Sequence, residues 1–228
     1  MNISQEAIRR IKAISHWHID RHVLRLALVP ENFTTLEHFK HWVIPSEYVR
    51  PGAICYCAGV GENVDLELRL VEHYGARVFA LDPTPRAIRF IENLSLDAER
   101  LRFLPVGLWS EDVTLKFYEP DNPLNVSHTV VEDHASGKRF FEAPCKTLST
   151  LMRENGHAVI DMLKMNIEGA EYEVLGKMIE DEIRPRVLMF TIEGKNPLLQ
   201  GIRWTKRLRE YGYRLVGLDK WAATFVIG

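Results

Sequence analysis

The chain has 228 residues, of which 46% are hydrophobic, and this is enough apolar material to bury a complete core. Its 29 basic and 31 acidic residues leave a formal net charge of −2, so no bulk positive field attracts nucleic acid. No apolar run approaches the roughly 18 residues that a membrane span requires. The first residues form an amphipathic helical pattern rather than a signal peptide, and we therefore expect a cytoplasmic protein.

Residues 1–50 predict an N-terminal helical extension or lid. An amphipathic helix opens the chain, and a second helical segment is predicted over residues 36–42. The turn Arg50-Pro51-Gly52 ends this part, and residues 51–228 contain no linker or repeat, so they predict one further domain. Cys55 and Cys57 do not have the spacing of a redox pair or a zinc site, and we expect them to be reduced core thiols. No metal ligands are predicted from histidine spacing.

Residues 53–86 carry the most informative pattern in the chain. An apolar run breaks at Gly59-Val60-Gly61, a helical pattern follows as far as Gly75, and a second apolar run ends on Asp82. This order of strand, glycine turn, helix, strand and acidic residue is typical of a nucleotide-binding half of an α/β fold. A parallel sheet with a tight turn that binds no ligand is the alternative interpretation.

Each part of this pattern has a physical role in nucleotide binding. Glycines let the backbone approach a ligand that any Cβ would exclude, and the following helix presents unpaired N–H groups. Asp82, about 20 residues further on, is placed to accept hydrogen bonds from two ribose hydroxyls. A dinucleotide fingerprint has a third glycine where this chain has Val64, which argues against NAD.

The segment after Asp82 predicts another helix and another strand. Thr84 is a good N-cap and Pro85 a good first helical residue. A strand is then predicted over residues 101–106. Leu108 and Trp109 follow its end, where they would either flank a nucleotide base or pack into the core.

The second half of the chain predicts a hairpin, two further parallel strands and a C-terminal hairpin. Residues 114–131 predict the first hairpin, whose second arm carries Ser127 and His128; this pair would either contact a substrate or lie in solvent. A helix is predicted over residues 146–153. Residues 159–169 and 187–193 predict strands that become polar at their ends, the second ending on Glu193. Residues 213–218 and 223–227 predict an antiparallel hairpin at the sheet edge.

Three stretches resemble the FkbM-type methyltransferases: Gly59 to Asn63, Leu81 to Pro85, and the run LKMNIEGAEY that begins at Leu163. The resemblance extends from about residue 44 to the C-terminus, and the Glu-Gly-Ala-Glu-Tyr run is its most specific part. It implies an α/β class I methyltransferase fold, with a Rossmann-like seven-stranded, mostly parallel sheet and an antiparallel C-terminal hairpin, formed by residues 51–228. It also implies S-adenosylmethionine as the methyl donor and a hydroxyl oxygen of a small sugar or secondary metabolite as the acceptor. The positions expected at the donor are Cys57, Gly59, Gly61, Glu62, Asn63, Asp82, Pro83, Leu108 and Asn166.

Two positions depart from the pattern of these methyltransferases. An acidic residue commonly stands two positions before the first glycine, where this chain has Cys57, and this weakens an expected contact with the donor's amino group. The family tends to have Asp where this chain has Asn166, which can orient and accept a hydrogen bond but cannot act as a general base.

Methyl transfer to an alcohol benefits from a base, because the hydroxyl must lose its proton. Glu168, just past a strand end, is the first candidate, and His128 is the second. The alternative role of Glu168 is to stabilise the N-terminus of the next helix, a role that fits Glu171 better. Glu168 and Glu193 would together offer oxygens to a divalent cation, an arrangement that we do not favour.

Two other functions compete with methyl transfer. One is a catalytically silent domain that binds S-adenosylmethionine and acts as a partner or regulator, which the changes at Cys57 and Asn166 would suit. The other is a nicotinamide-dependent oxidoreductase, which Val64 and the Glu-Gly-Ala-Glu run disfavour.

Overall fold

The computed structural model describes residue 23 and residues 28–33, 35–118, 139–194 and 196–228. Strands and helices alternate through most of this chain, as the sequence predicts. In chain order the elements are β1 (Leu36–Phe39), β2 (Trp42–Pro45), a 3-10 turn (Ser46–Tyr48), β3 (Ile54–Ala58), α1 (Asp65–Tyr74), β4 (Arg77–Leu81), α2 (Pro85–Glu92), β5 (Leu101–Leu104), β6 (Gly107–Leu108), β7 (Val113–Tyr118), β8 (Phe140–Lys146), α3 (Leu148–Glu154), β9 (Met162–Met165), α4 (Glu171–Glu180), β10 (Val187–Thr191), α5 (Pro197–Glu210), β11 (Tyr213–Asp219) and β12 (Ala222–Ile227).

A seven-stranded sheet of order β11-β12-β10-β9-β3-β4-β5 forms the centre of the molecule. The strands from β10 to β5 in this order are parallel, and β12 pairs antiparallel with both β10 and β11. The chain runs outward from β3 through β4 to β5 and later returns to β9, so the strand order reverses between β3 and β9. The predicted mostly parallel sheet with an antiparallel C-terminal hairpin is therefore confirmed.

Helices cover both faces of the sheet, which explains why its strands are almost continuously apolar. On β3, Cys55 and Cys57 point to the face that packs against Leu70 of α1. Tyr56 points to the opposite face, which packs against Val174 of α4. All three cysteines of the chain are buried and unpaired, as predicted for Cys55 and Cys57.

The helix predicted over residues 36–42 is wrong, because this segment forms the antiparallel hairpin of β1 and β2. The reason is tertiary packing, which overrides local propensity. Trp42 and Val43 are buried, and the Val43 carbonyl accepts a hydrogen bond of 2.8 Å from the Thr224 hydroxyl of β12. Gly217 of β11 leaves the room that Val43 needs, since a Cβ there would lie 2.6 Å from the Val43 Cβ. The hairpin thus packs on the central sheet.

A smaller sheet of order β6-β8-β7 stands beside the end of β5. The first arm predicted for the hairpin of residues 114–131 is a strand, β7, but in the structure it pairs with β8. The predicted second arm, including Ser127 and His128, lies outside the described residues. The strand predicted over residues 159–169 is shorter, and Val159 is exposed.

The helix start predicted at Thr84 and Pro85 is confirmed. The Thr84 hydroxyl accepts a hydrogen bond from the Ala87 N–H at 3.2 Å, and Pro85 is the first helical residue of α2. Thr147 caps α3 in the same way, so this helix begins two residues later than residue 146. Among the helices of the described residues, none combines the length and the apolar character needed to cross a membrane.

Candidate active site

A cleft of about 340 Å³ opens at the carboxyl ends of the parallel strands, where the strand order reverses between β3 and β9. This is the position at which open parallel sheets bind ligands. Four of the segments that line it follow strand ends: the glycine turn after β3, the segment after β4, the segment after β5, and the loop after β9. Phe117 and Cys145 of β7 and β8 also line it. The lining residues used below are Gly59, Gly61, Glu62, Asn63, Asp82, Pro83, Leu108, Trp109, Asn166 and Glu168.

The glycine turn is possible only because residue 59 has no side chain. Gly59 has a φ of 76°, and a Cβ there would lie 1.9 Å from the carbonyl oxygen of Asn166. Backbone hydrogen bonds hold this approach: the Gly59 N–H donates to Leu81 and the Asn166 N–H donates to Ala58, at 2.9 and 3.0 Å. The ends of β3, β4 and β9 are therefore joined directly by backbone.

Asp82 lies at the end of β4 and is only 5% exposed, yet it lines the cleft. One carboxylate oxygen accepts a hydrogen bond of 2.9 Å from the Gly61 N–H. The other accepts from the Thr84 N–H at 2.9 Å and from the Thr84 hydroxyl at 2.6 Å. Asp82 thus fastens the glycine turn to the start of α2, a structural role that the sequence did not predict. A carboxylate oxygen has two lone pairs, so the oxygen facing Gly61 retains acceptor capacity for a ligand.

The other predicted donor-site residues of this rim also lie at the cleft. Glu62 forms an ion pair with Arg86 of α2. The Asn63 side chain accepts a hydrogen bond of 3.1 Å from the Asp65 N–H and so begins α1. Leu108 is buried on the opposite wall, and the neighbouring Trp109 both lines the cleft and packs against the small sheet's apolar cluster. Trp109 therefore packs in part against the core, as one interpretation had it, and its contact with a nucleotide base stays a prediction.

Cys57 does not line the cleft, in contrast to the prediction that it stands at the donor. Its side chain points to the α1 face and is fully buried beside Glu67. Burial raises the pKa of the Cys57 thiol well above its usual value, and the nearby Glu67 raises it further. The thiol is therefore neutral at physiological pH and acts as a small core side chain.

The loop between β9 and α4 is held by side chains of its own. The Asn166 amide oxygen accepts a hydrogen bond of 2.9 Å from the Thr191 hydroxyl of β10. Glu171 is fully buried, and its carboxylate accepts hydrogen bonds of 2.8 Å from the N–H groups of Ile167 and Gly169. Glu171 is consequently part of the architecture of the loop and is not accessible to a ligand.

Glu168 is the carboxylate that this loop presents to the cleft. Its φ of 57° lies in the left-handed region, which a residue with a side chain enters only at a cost of about 1–3 kcal/mol. The Glu168 side chain is hydrogen-bonded to Glu193, which follows the adjacent strand β10. Burial, together with the charges of Glu168 and Glu171, raises the pKa of Glu193 to about 8. At neutral pH Glu193 therefore retains its proton.

His128, the second candidate base, lies outside the described residues. Within the described ranges, no group of three or more His, Cys, Asp and Glu side chains is arranged to hold a metal ion. Two buried charged residues near the glycine turn were missed by the sequence analysis, Lys164 and Glu67. A signal for both was present, because each interrupts an otherwise apolar strand or helix face.

The topology and the cleft together define a class I methyltransferase-type domain. The chain belongs to the FkbM methyltransferase domain family, whose sequence model matches residues 36–215. The match begins at β1, earlier than the resemblance at residue 44 indicated. Membership of this family supports methyl transfer from S-adenosylmethionine. The comparison with curated proteins gives no significant match.

Solved structures with a similar fold are distant from this chain. The METTL16 methyltransferase domain is 12% identical, with a TM-score of 0.45, over 99% of this chain and 70% of that one. Aeropyrum pernix fibrillarin, in complex with natively bound S-adenosylmethionine, is 12% identical, with a TM-score of 0.44. The similarity covers 79% of this chain and 68% of the fibrillarin chain. A methyltransferase from Pyrococcus furiosus is 13% identical, with a TM-score of 0.39, and the similarity covers 94% of this chain and 97% of that one. The family match therefore carries the assignment.

The raised pKa of Glu193 predicts how stability depends on pH. The folded protein retains the Glu193 proton up to about pH 8, whereas the unfolded chain loses it near the ordinary glutamate pKa of 4.5. The contribution to stability is therefore full below the lower value and falls as pH rises towards the higher one, by at most about 1.4 kcal/mol per pH unit. Glu193→Gln keeps a neutral side chain at every pH. It should therefore reduce the fall of the unfolding free energy, measured by urea titration, between about pH 5 and pH 8.

Glu173→Gln, on the exposed side of α4, is the matched control and should leave the pH profile of the parent unchanged. Identical slopes for Glu193→Gln and the parent protein would contradict the assignment of this proton to Glu193.

Proposed function

We propose that this protein transfers a methyl group from S-adenosylmethionine to a hydroxyl oxygen of a small sugar or secondary metabolite. The observation that carries the proposal is the cleft itself, in which the glycine turn, Asp82 and Glu168 share one rim. The N-terminal part, residues 1–50, would be an extension or lid of the methyltransferase domain. The three buried, unpaired cysteines support a reducing compartment such as the cytoplasm.

The cleft offers groups that would contact the separate parts of the donor. A Cβ at Gly59 would collide with the Asn166 backbone, so only a glycine lets the turn form this side of the cleft. Asp82 would accept hydrogen bonds from the ribose, and Leu108 with Trp109 would contact the base. When bound, S-adenosylmethionine supplies an electrophilic methyl group on a sulfonium, so that most of the catalysis is positioning of the acceptor.

The charges at the cleft favour a neutral acceptor. Three carboxylates, those of Glu62, Asp82 and Glu168, line it, and the described lining residues include no Lys, Arg or His. Such a site attracts a cationic donor and opposes phosphate or carboxylate groups on the acceptor. A hydroxylated small molecule meets this condition better than a nucleic acid does, in agreement with the net charge of −2.

Glu168 is the residue that would orient the acceptor hydroxyl and take its proton. It lines the cleft, and its left-handed backbone conformation is part of the loop between β9 and α4. Glu193, which retains its proton at neutral pH, shares a hydrogen bond with the Glu168 carboxylate. That carboxylate can accept a proton, whereas the Asn166 amide cannot.

A silent domain that only binds the donor is the second candidate function. It is favoured by the two departures from the family pattern, since Cys57 is buried away from the cleft and Asn166 is bonded to Thr191. The experiment that separates the two functions is incubation with S-adenosylmethionine and a panel of neutral hydroxylated metabolites. Release of the demethylated donor, S-adenosylhomocysteine, that depends on an acceptor supports the enzyme. Tight donor binding without release across the panel favours the silent domain.

Asp82→Ala tests the predicted contact with the ribose. Loss of hydrogen bonds to a charged group should weaken the binding of S-adenosylhomocysteine by about 1.5–3 kcal/mol, measured by calorimetry. Asp112→Ala is the matched control, because the Asp112 carboxylate makes similar bonds to Thr147 and Thr150 away from the cleft. Unchanged affinity in folded Asp82→Ala would show that the ribose is held elsewhere.

Glu168→Gln tests the base. The substitution preserves shape and removes the charge, so donor affinity should remain normal while turnover falls roughly 10²-fold or more. If Glu168 acts only on the start of α4, the same substitution should cost about 0.5–1 kcal/mol of stability with turnover nearly intact. Donor affinity, melting temperature and turnover are measured on the same preparation. Turnover within a few-fold of the parent would remove Glu168 as the base and make His128 the next residue to test.

A further inference from the structure

A buried charged cluster lies directly beneath the glycine turn, on the side away from the cleft. Its members are Lys164 of β9 and Glu67 of α1, which are 4% and 2% exposed, together with the fully buried Cys57 of β3. Lys164 and Cys57 are neighbours in the register of β3 with β9. None of the three lines the cleft.

The Lys164 ammonium group links β9 to the turn that follows β3. Its Nζ donates a hydrogen bond of 2.9 Å to the carbonyl of Gly59 and lies 3.4 Å from the carbonyl of Ala58. It also lies 5.5 Å from the ring centre of Trp42, a distance at which a cation is attracted to an aromatic face. The ammonium group is thus held at the first residue of the turn.

Glu67 is the acidic partner of Lys164, although the two groups are too far apart for a hydrogen bond. Its Oε1 lies 3.9 Å from the Lys164 Nζ and has no hydrogen-bond partner among the described groups. Burial raises the pKa of Glu67, and the nearby Lys164 opposes this shift. Removing the two groups from water costs more than a contact of 3.9 Å returns, so a salt bridge between Lys164 and Glu67 does not explain the cluster.

The cluster and Asp82 hold the same turn from its two sides. Lys164 binds the carbonyl of Gly59 from below, and Asp82 accepts the N–H of Gly61 at the cleft. Fixing both ends sets the direction of the backbone groups that face the cleft. A turn that is already ordered binds a ligand without the entropic cost of ordering it.

We propose that Lys164 is a positioning residue of the donor site, whose ammonium group fixes the Gly59 carbonyl and with it the turn against which the donor binds. The inference rests on the proposed function, because it takes the donor to be S-adenosylmethionine.

The test uses Lys164→Met combined with Glu67→Gln, so that no buried carboxylate is left without its cation. Affinity for S-adenosylhomocysteine should fall about tenfold or more, as expected when a charge-assisted hydrogen bond is lost. Amide hydrogen exchange should become faster at Gly61, while Tyr56 and Leu163 in the middle of β3 and β9 keep their protection. The matched control is Lys177→Met with Glu180→Gln, a pair on α4 with the same 3.9 Å separation whose Lys177 is half-buried and also bonded to Asp181. It should change neither measurement.

Two results would overturn the proposal. One is binding of S-adenosylhomocysteine by the Lys164 and Glu67 double variant within about twofold of the parent. The other is loss of protection throughout β3 and β9, which would show a general structural role. If this variant does not fold, the proposal is tested on the unaltered protein through the NMR resonance of the Lys164 Cε. Saturation with S-adenosylhomocysteine should shift this resonance. A resonance that does not move contradicts the proposal. Failure of the parent to bind S-adenosylhomocysteine would contradict the proposed function, and exchange at Gly61 would still show whether Lys164 holds the turn.

Discussion

The approach of the Gly59 backbone to the Asn166 carbonyl is the contact on which the rest of the site depends. A Cβ at residue 59 would lie 1.9 Å from that oxygen, so the ends of β3 and β9 can meet only through a glycine. The meeting point lies where the strand order reverses, and backbone hydrogen bonds from Gly59 and Asn166 hold it together. The glycine turn, the segment after β4 and the loop after β9, which carry most of the polar lining of the cleft, all begin at strand ends joined there.

The carboxylates around this contact have separate tasks because their surroundings differ. Asp82 and Glu171 accept hydrogen bonds from backbone N–H groups, and each thereby holds a loop in place. Glu168 instead lines the cleft in a left-handed backbone conformation and shares a hydrogen bond with Glu193. Glu171 is fully buried, and the acceptor capacity that Asp82 retains is the one proposed for the ribose. The proposed base is therefore the one that the loop presents to the cleft.

Local patterns predicted most of the fold correctly. The glycine turn, the acidic residue after β4 and the Thr84 cap are each determined by a few neighbouring residues, whereas the seven-stranded sheet was implied by the resemblance to FkbM-type methyltransferases. The hairpin of β1 and β2 was missed because it depends on room beside Gly217 and on the Thr224 hydroxyl, both remote in sequence. Contacts of this kind are set by packing, and local propensity does not contain them.

The site was predictable to a similar extent. Eight of the nine residues expected at the donor line the cleft, whereas Cys57 points to the other face of the sheet. The link between Lys164 and the Gly59 carbonyl joins residues more than a hundred positions apart, and the sequence showed only a charge within an apolar strand. The role of Asp82 in fastening the glycine turn to α2 was also not predicted, because the positions of strand ends indicate which residues lie close together but not which atoms form hydrogen bonds.

The measurement that tests the central claim most directly is calorimetric titration of the parent protein with S-adenosylmethionine and, separately, with NAD. The account predicts saturable binding of S-adenosylmethionine at one site per chain and no binding of NAD, since Val64 is buried where a dinucleotide fingerprint has its third glycine. Tight binding of NAD, with none of S-adenosylmethionine, would contradict it.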